Sequence, residues 1–213
     1  MNRFLTCLFD LDGTLIDHFI AIHRCYAHTL PQLGLPAPTA AQVRAAVGGG
    51  LENALRRFVP EARLPEAVAI YWAFWNDHML EEVTAMPGAL ELLHGLALRG
   101  VRLGVLTNKR GDSSRLICDR LGFTPYLGSV VGAGDTAWLK PEAALTRHAL
   151  SLLGAGAEGA LLVGDSPYDV AAAHNGGMPC WAVSTGTHTA GELRAAGAEA
   201  VFASLPELAA AWP

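Results

Sequence analysis

Asp10 and Asp12 stand two residues apart at the end of the apolar run 4–9, and Gly13 and Thr14 follow at once. A strand places residues i and i+2 on one side. If the strand stops here, both carboxylates lie at its carboxyl end, where open α/β sheets gather their active sites. One carboxylate there can attack phosphorus, and its neighbour can serve as acid and base. A lone Asp-Leu-Asp-Gly is also a common surface turn, so the chemistry depends on what the rest of the chain brings to it.

Phosphoryl transfer to a carboxylate needs donors for the phosphoryl oxygens and a cation that lets two anions meet. The chain supplies both in order. The apolar run 101–106 ends in Thr107-Asn108-Lys109, Lys140-Pro141 follows, and the run 160–163 ends in Gly164-Asp165-Ser166. The Thr107 hydroxyl, nearby backbone N–H groups and Lys140 can hold phosphoryl oxygens. Lys109 and Asn108 adjoin Thr107 and can help to hold a substrate anion. Asp10 and Asp165 can be side-chain ligands of a hard Mg²⁺, which takes carboxylates, carbonyls and waters. Each piece has a plainer reading: a helix cap, a surface lysine, or a first-turn acid such as Asp169. Singly the plainer readings are better; jointly the residue types match one reaction.

The elements that must position these groups are legible. Runs 4–9, 101–106, 129–131, 160–163, 181–183 and 200–203 are short and apolar on both faces, as in a parallel sheet covered by helices. Segments 89–99, 113–121, 142–153 and 167–175 read as helices, and a glycine follows each. From residue 88 onward this alternation predicts a doubly wound α/β fold. Residues 16–84 break it, with helices predicted over 20–33, 40–47, 51–59 and 66–80 and no clear strand. Tyr71, Trp72, Phe74 and Trp75 make the last of these aromatic, as the core of a bundle would be. The expected organisation is a Rossmann-like core from 1–15 and 85–213, with an α-helical cap domain over 16–84 where a lid would sit.

The 213 residues carry a net charge of −5 without an acidic or basic block, which argues against nucleic acid as the main partner. A small phosphorylated metabolite needs only a local basic pocket. No apolar run approaches membrane-helix length, and run 4–9 is too short for a signal peptide. Cys7, Cys25, Cys118 and Cys180 show no paired spacing, which suits reduced thiols in a cytoplasmic protein. Monomer and homodimer both stay open.

Taken together, Asp10-Leu11-Asp12-Gly13-Thr14, Leu106-Thr107-Asn108, Lys140-Pro141 and Gly164-Asp165-Ser166-Pro167-Tyr168-Asp169 resemble the four motifs of the haloacid dehalogenase-like superfamily. The resemblance implies Mg²⁺-dependent chemistry through an aspartyl-phosphate, with Asp10 as nucleophile and Asp12 as acid and base. It makes Thr107 and Lys140 phosphate ligands. It assigns the metal to Asp10, the Asp12 carbonyl and Asp165, with Asp169 in support. Asp12 disfavours a dehalogenase, whose leaving halide needs no proton. A cap without lysine disfavours a phosphonatase. The loops around 47–50, 107–109, 132–135 and 186–188 are similar to phosphoglycolate phosphatases. Glu142-Ala143 and Tyr168 depart from that pattern. The expected activity is therefore a phosphatase for a small phosphomonoester, phosphoglycolate first. A broader phosphatase on sugar phosphates, nucleotides or pyrophosphate stays open, and so does a phosphomutase. In the cap, backbone at Gly49 in the glycine run 48–50 can approach a ligand closely. Arg57, with Arg44 and Arg56, can supply the cation that a carboxylated substrate would want.

Overall fold

Alternate side chains of the first strand enter two separate cores, and this makes the strand the centre of the molecule. The computed structural model describes residues 4–213. In chain order its elements are β1 (Thr6–Phe9), β2 (Ile16–Asp17), α1 (Phe19–Gln32), α2 (Ala40–Ala46), α3 (Leu51–Leu55), α4 (Leu64–His78), β3 (Thr84–Ala85), α5 (Ala89–Leu98), β4 (Arg102–Arg110), α6 (Gly111–Arg120), β5 (Leu127–Ala133), α7 (Ala143–Leu152), β6 (Ala160–Gly164), α8 (Pro167–Gly176), β7 (Cys180–Val183), α9 (Ala190–Ala195), β8 (Ala200–Phe202) and α10 (Leu205–Ala211). Cys7 and Phe9 belong to one core with Leu92 and Leu96 of α5 and Leu205 of α10. Leu8, between them, belongs to a second with Leu145 of α7 and Val170 of α8. Burial on both faces is what the unbroken apolar runs predict.

Six strands form one parallel sheet in the order β5-β4-β1-β6-β7-β8. Phe9 is level with Val105 of β4 and with Val163 of β6. The residues that follow these three therefore emerge side by side. The chain fills the sheet from β1 towards β5, then returns across β1 to β6 and continues to β8. That reversal opens a crevice beyond the strand ends, the usual ligand position in such sheets. The β4–β5 register shifts between Leu106 and Arg110. Such an irregularity re-aims side chains, and Thr107, Asn108 and Lys109 lie within it.

The apolar pattern of 16–84 predicts no strand, yet Ile16 pairs with Ala85 and Asp17 with Thr84 in an antiparallel ribbon. Two residues per strand are too few to show alternation. The chain enters and leaves helices α1–α4 through this ribbon. Helix α3 ends at Leu55 rather than 59. Within the helices, Tyr26 of α1 meets Tyr71 of α4 edge-on, with ring centroids 5.5 Å apart. The Trp75 indole N–H donates to Ser113 Oγ at 3.1 Å and ties α4 to the sheet side. No helix among the described residues is long and apolar enough to cross a membrane.

Candidate active site

Where β1 stops, Asp10 turns into the crevice beside Asp165 from the end of β6 and Asp169 from the first turn of α8. One oxygen from each lies within 4.8 Å of the others. Lys140 Nζ sits among them, 2.8 Å from Asp10 Oδ1 and 2.7 Å from Asp169 Oδ1. The Asp10 contact is ionic rather than directed, because no hydrogen-bond donor is aligned on that oxygen. The other two carboxylates are fully engaged. Asp169 Oδ2 accepts from the Ser166 N–H at 3.0 Å and the Ser166 hydroxyl at 2.6 Å, closing the start of α8. Asp165 accepts from the Thr14 hydroxyl at 3.3 Å and the Thr187 N–H at 3.2 Å. A Cβ on Gly186 would stand 1.7 Å from Asp165 Oδ2, and one on Gly13 2.6 Å from it. Only glycines leave room for this carboxylate.

Three buried carboxylates face one buried lysine, so the site carries excess negative charge. Burial first, relieved by Lys140 and worsened by Asp169, pushes Asp10 up to about 6. Burial, with Asp169 and Asp10 beside it, raises Asp165 well above the carboxylate range. Burial disfavours the charge on Lys140, but the two aspartates more than offset it and its pKa is raised. Hard oxygen donors, surplus charge and an Asp10 oxygen without an aligned donor suit a divalent cation such as Mg²⁺.

Thr107 is buried in β4, and its hydroxyl accepts from the Lys109 N–H at 3.2 Å. Asn108 is a fastener. Its amide donates to Gly48 O at 3.0 Å and to Lys140 O at 3.1 Å, and its carbonyl accepts from the Lys140 N–H at 2.7 Å. It therefore holds the glycine loop and Lys140 in place, and its amide hydrogens are already engaged.

Asp12 is held by Lys109 Nζ at 2.9 and 3.1 Å. Lys109 in turn lies 4.4 Å from the centre of the Trp75 ring. His18, fully buried, packs on the same ring at 4.9 Å. Its Nε2 bonds the Met79 carbonyl at 2.7 Å, so Nε2 carries the proton and Nδ1 is left as an acceptor, 3.9 Å from Asp12 Oδ1. Burial, then Lys109, lowers its pKa to about 3. A base that is harder to protonate folded than unfolded leaves stability intact above about pH 6.5 and removes it as pH falls towards 3. At about pH 5 this amounts to about 2 kcal/mol. Urea unfolding of wild type and His18→Gln is expected to show it, the wild type losing about 2 kcal/mol more than the variant between about pH 7.5 and 5. Parallel pH profiles would place the ionisation elsewhere.

Between this polar floor and α1–α4 lies a cavity of about 400 Å³. Gly49 lines it, and a Cβ there would meet the Tyr168 hydroxyl at 2.8 Å. The structure does not bring Arg57 to this cavity; its guanidinium donates to the Ala45 carbonyl. Arg44 is likewise absent from the lining and stacks on Phe19 at 4.1 Å. Arg56 reaches the lining but is paired with Glu61 at 3.0 Å. The motifs include Thr14 but not its bond to Asp165, and they leave out His18, Gly186 and Trp75. Their partners lie far along the chain, so spacing carries no signal for them.

Comparison with known proteins agrees with this geometry. Residues 7–183 match the family described as haloacid dehalogenase-like hydrolase. A phosphoglycolate phosphatase of Rhodospirillum rubrum is 35% identical over 92% of this chain and 85% of its own. A 5'-nucleotidase of Pseudomonas aeruginosa is 33% identical over 91% of this chain and 88% of its own. The solved structure of a haloacid dehalogenase-like family hydrolase from Streptococcus pneumoniae, 25% identical, superposes with a TM-score of 0.91 over 100% of both chains. With the family matching across most of its length, this chain belongs to the haloacid dehalogenase-like hydrolases.

Proposed function

We propose that this protein hydrolyses a small phosphomonoester with the aid of Mg²⁺, through a phosphoryl group held transiently on Asp10. Its family and its phosphatase relatives make it a phosphoric monoester hydrolase. The observation that carries the choice of nucleophile is the state of the three clustered carboxylates. Asp165 and Asp169 accept hydrogen bonds from Thr14, Thr187 and Ser166, whereas Asp10 Oδ1, though 2.8 Å from Lys140 Nζ, accepts none. A free lone pair is what attack on phosphorus requires.

Asp10 Oδ1 attacks phosphorus as the bond to the leaving alcohol breaks, and Asp12 gives that alcohol its proton. Asp12 then takes a proton from the water that attacks the phosphoaspartate, and the Asp10 carboxylate is restored with release of phosphate. Lys140, Thr107 and Lys109 supply the charge and hydrogen bonds that hold the phosphoryl oxygens. Asp10, Asp165 and the Asp12 carbonyl would hold a Mg²⁺, whose positive charge would let carboxylate and phosphate meet. Asp169 supports the site through Lys140 and Ser166.

Residues 16–84 act as the cap and 1–15 with 85–213 as the core, with the β2–β3 ribbon as the joint between them. Four unpaired, buried cysteines support a reducing, cytoplasmic setting. Two substrates come from the relatives: phosphoglycolate from the Rhodospirillum protein, and a nucleoside monophosphate from the Pseudomonas one. The size and apolar walls of the cavity favour keeping the second beside the first.

Phosphate release from a phosphomonoester panel is expected to fall about 100-fold or more in a chelator and to return with added Mg²⁺. Asp165→Asn is expected to raise the Mg²⁺ concentration needed by about tenfold or more, because a ligand held between two glycines loses its charge. Turnover indifferent to chelation would remove the metal from the mechanism.

A further inference from the structure

We infer that the alcohol of the substrate carries a flat aromatic ring, seated in the cavity between α1–α4 and the sheet. This rests on the phosphatase reading above and concerns only what lies beyond the phosphate.

The cavity of about 400 Å³ falls within the usual range of small-molecule sites. A two-carbon acid on the phosphate would leave most of it unfilled. Its floor holds Asp10, Asp12 and Thr107, where the phosphate belongs. The opposite wall is built from Phe19, Ile22, Tyr26, Leu51, Tyr71 and Trp72. Aromatic side chains prefer offset or edge-on contact with another ring, so this wall selects flat groups.

Charge bears on the choice as well as size. Three cationic side chains line the cavity among the described residues: Arg56, Lys109 and Arg110. Each already has a carboxylate. Lys109 lies 2.9 Å from Asp12, and Arg56 lies 3.0 Å from Glu61 and 3.6 Å from Glu52. Arg110 pairs with Asp112 while its guanidinium lies 4.4 Å over the Trp72 ring. A substrate carboxylate would compete with these partners, at a high cost for the buried Lys109–Asp12 pair and a low one for the exposed pairs of Arg56 and Arg110, and a short acid would leave the aromatic wall bare.

The ring can belong to a nucleobase or to a simple aryl alcohol, and the test separates them. The Mg²⁺-loaded wild-type protein is assayed on adenosine 5'-monophosphate, phenyl phosphate, 2-phosphoglycolate, glucose 6-phosphate and a straight-chain alkyl phosphate. The better of the two ring-bearing esters is expected to exceed each of the others at least about tenfold in kcat/KM, and its identity names the ring. Trp72→Ala is expected to reduce that preference by about tenfold, in KM more than in kcat, the size seen when one stacking partner of a base is removed. Inhibition of the wild type gives the same answer without a variant: adenosine or phenol should compete at concentrations where glycolate does not. Preference for 2-phosphoglycolate, glucose 6-phosphate or the alkyl ester would overturn this inference and leave the phosphatase standing. No release from any ester would overturn the reading on which it rests.

Discussion

Asp10→Asn is expected to lower phosphate release by about 10⁴-fold or more, with the protein still folded. The change is nearly isosteric and touches one atom. The variant keeps the shape of the end of β1, but an amide oxygen is a poor nucleophile and cannot carry the phosphoryl group. Neither neighbouring carboxylate can stand in. Asp169 caps α8 through Ser166 and pairs with Lys140. Asp165 is bonded by Thr14 and Thr187 and enclosed by Gly13 and Gly186. Removing one negative charge from a cluster of three should also hold or raise stability, because burial already penalises the charged form of Asp10. The check is a paired measurement of kcat and of urea unfolding on wild type and variant. Activity within tenfold of wild type would move the nucleophile to another residue. Lost activity together with lost stability would mean that Asp10 is structural.

The parts of this site that sequence reveals are those whose signal is local. Asp10, Thr107 and Asp165 each follow an apolar run buried on both faces, so the end of each run marks the end of a strand. The parallel order then sets all three at one edge. Asp169 is visible as a first-turn acid after Pro167. Its second task, holding Lys140 across 29 residues, is not. The two-residue strands β2 and β3 are too short for any periodicity. The helices α9 and α10, of 6 and 7 residues, offer less than two full turns to read. Gly186 reads as loop punctuation until the Asp165 carboxylate is seen where its side chain would be. The arginines of the helical segment are the instructive case. Sequence places three cations near the glycine loop, but direction and pairing decide what a cation offers. Arg57 turns to a carbonyl and Arg56 to glutamates. His18 is legible only as a residue near a joint, because its partner Met79 lies 61 residues away.

Lys140→Met is expected to cost about 3–5 kcal/mol of stability at about pH 8 in the absence of divalent cation. The lysine stem is replaced by apolar atoms of similar length, so packing changes little and charge changes most. What remains is three carboxylates, buried and within 4.8 Å of one another, with no compensating cation among them. Breaking a buried pair is expensive for this reason: the partner left behind keeps its desolvation cost. The pH dependence gives the sign. Lys140 holds the Asp10 carboxyl down, so its loss raises further a pKa that already stands at about 6. An acid whose folded pKa exceeds its unfolded value destabilises at pH above the unfolded value, and the penalty is relieved as pH falls. The gap between wild type and variant should therefore be widest near about pH 8 and narrow markedly by about pH 5. Millimolar Mg²⁺ should restore part of the stability, and more in the variant than in wild type, because the cation supplies the charge that the lysine gave. It should not restore turnover, since the proposed mechanism also has Lys140 hold a phosphoryl oxygen. Adding Asp169→Asn to Lys140→Met should recover part of the loss, and the double-mutant cycle should show coupling of about 1 kcal/mol or more. A loss below about 1 kcal/mol, or one that stays constant from pH 8 to 5, would mean that Lys140 is not what keeps these three acids together.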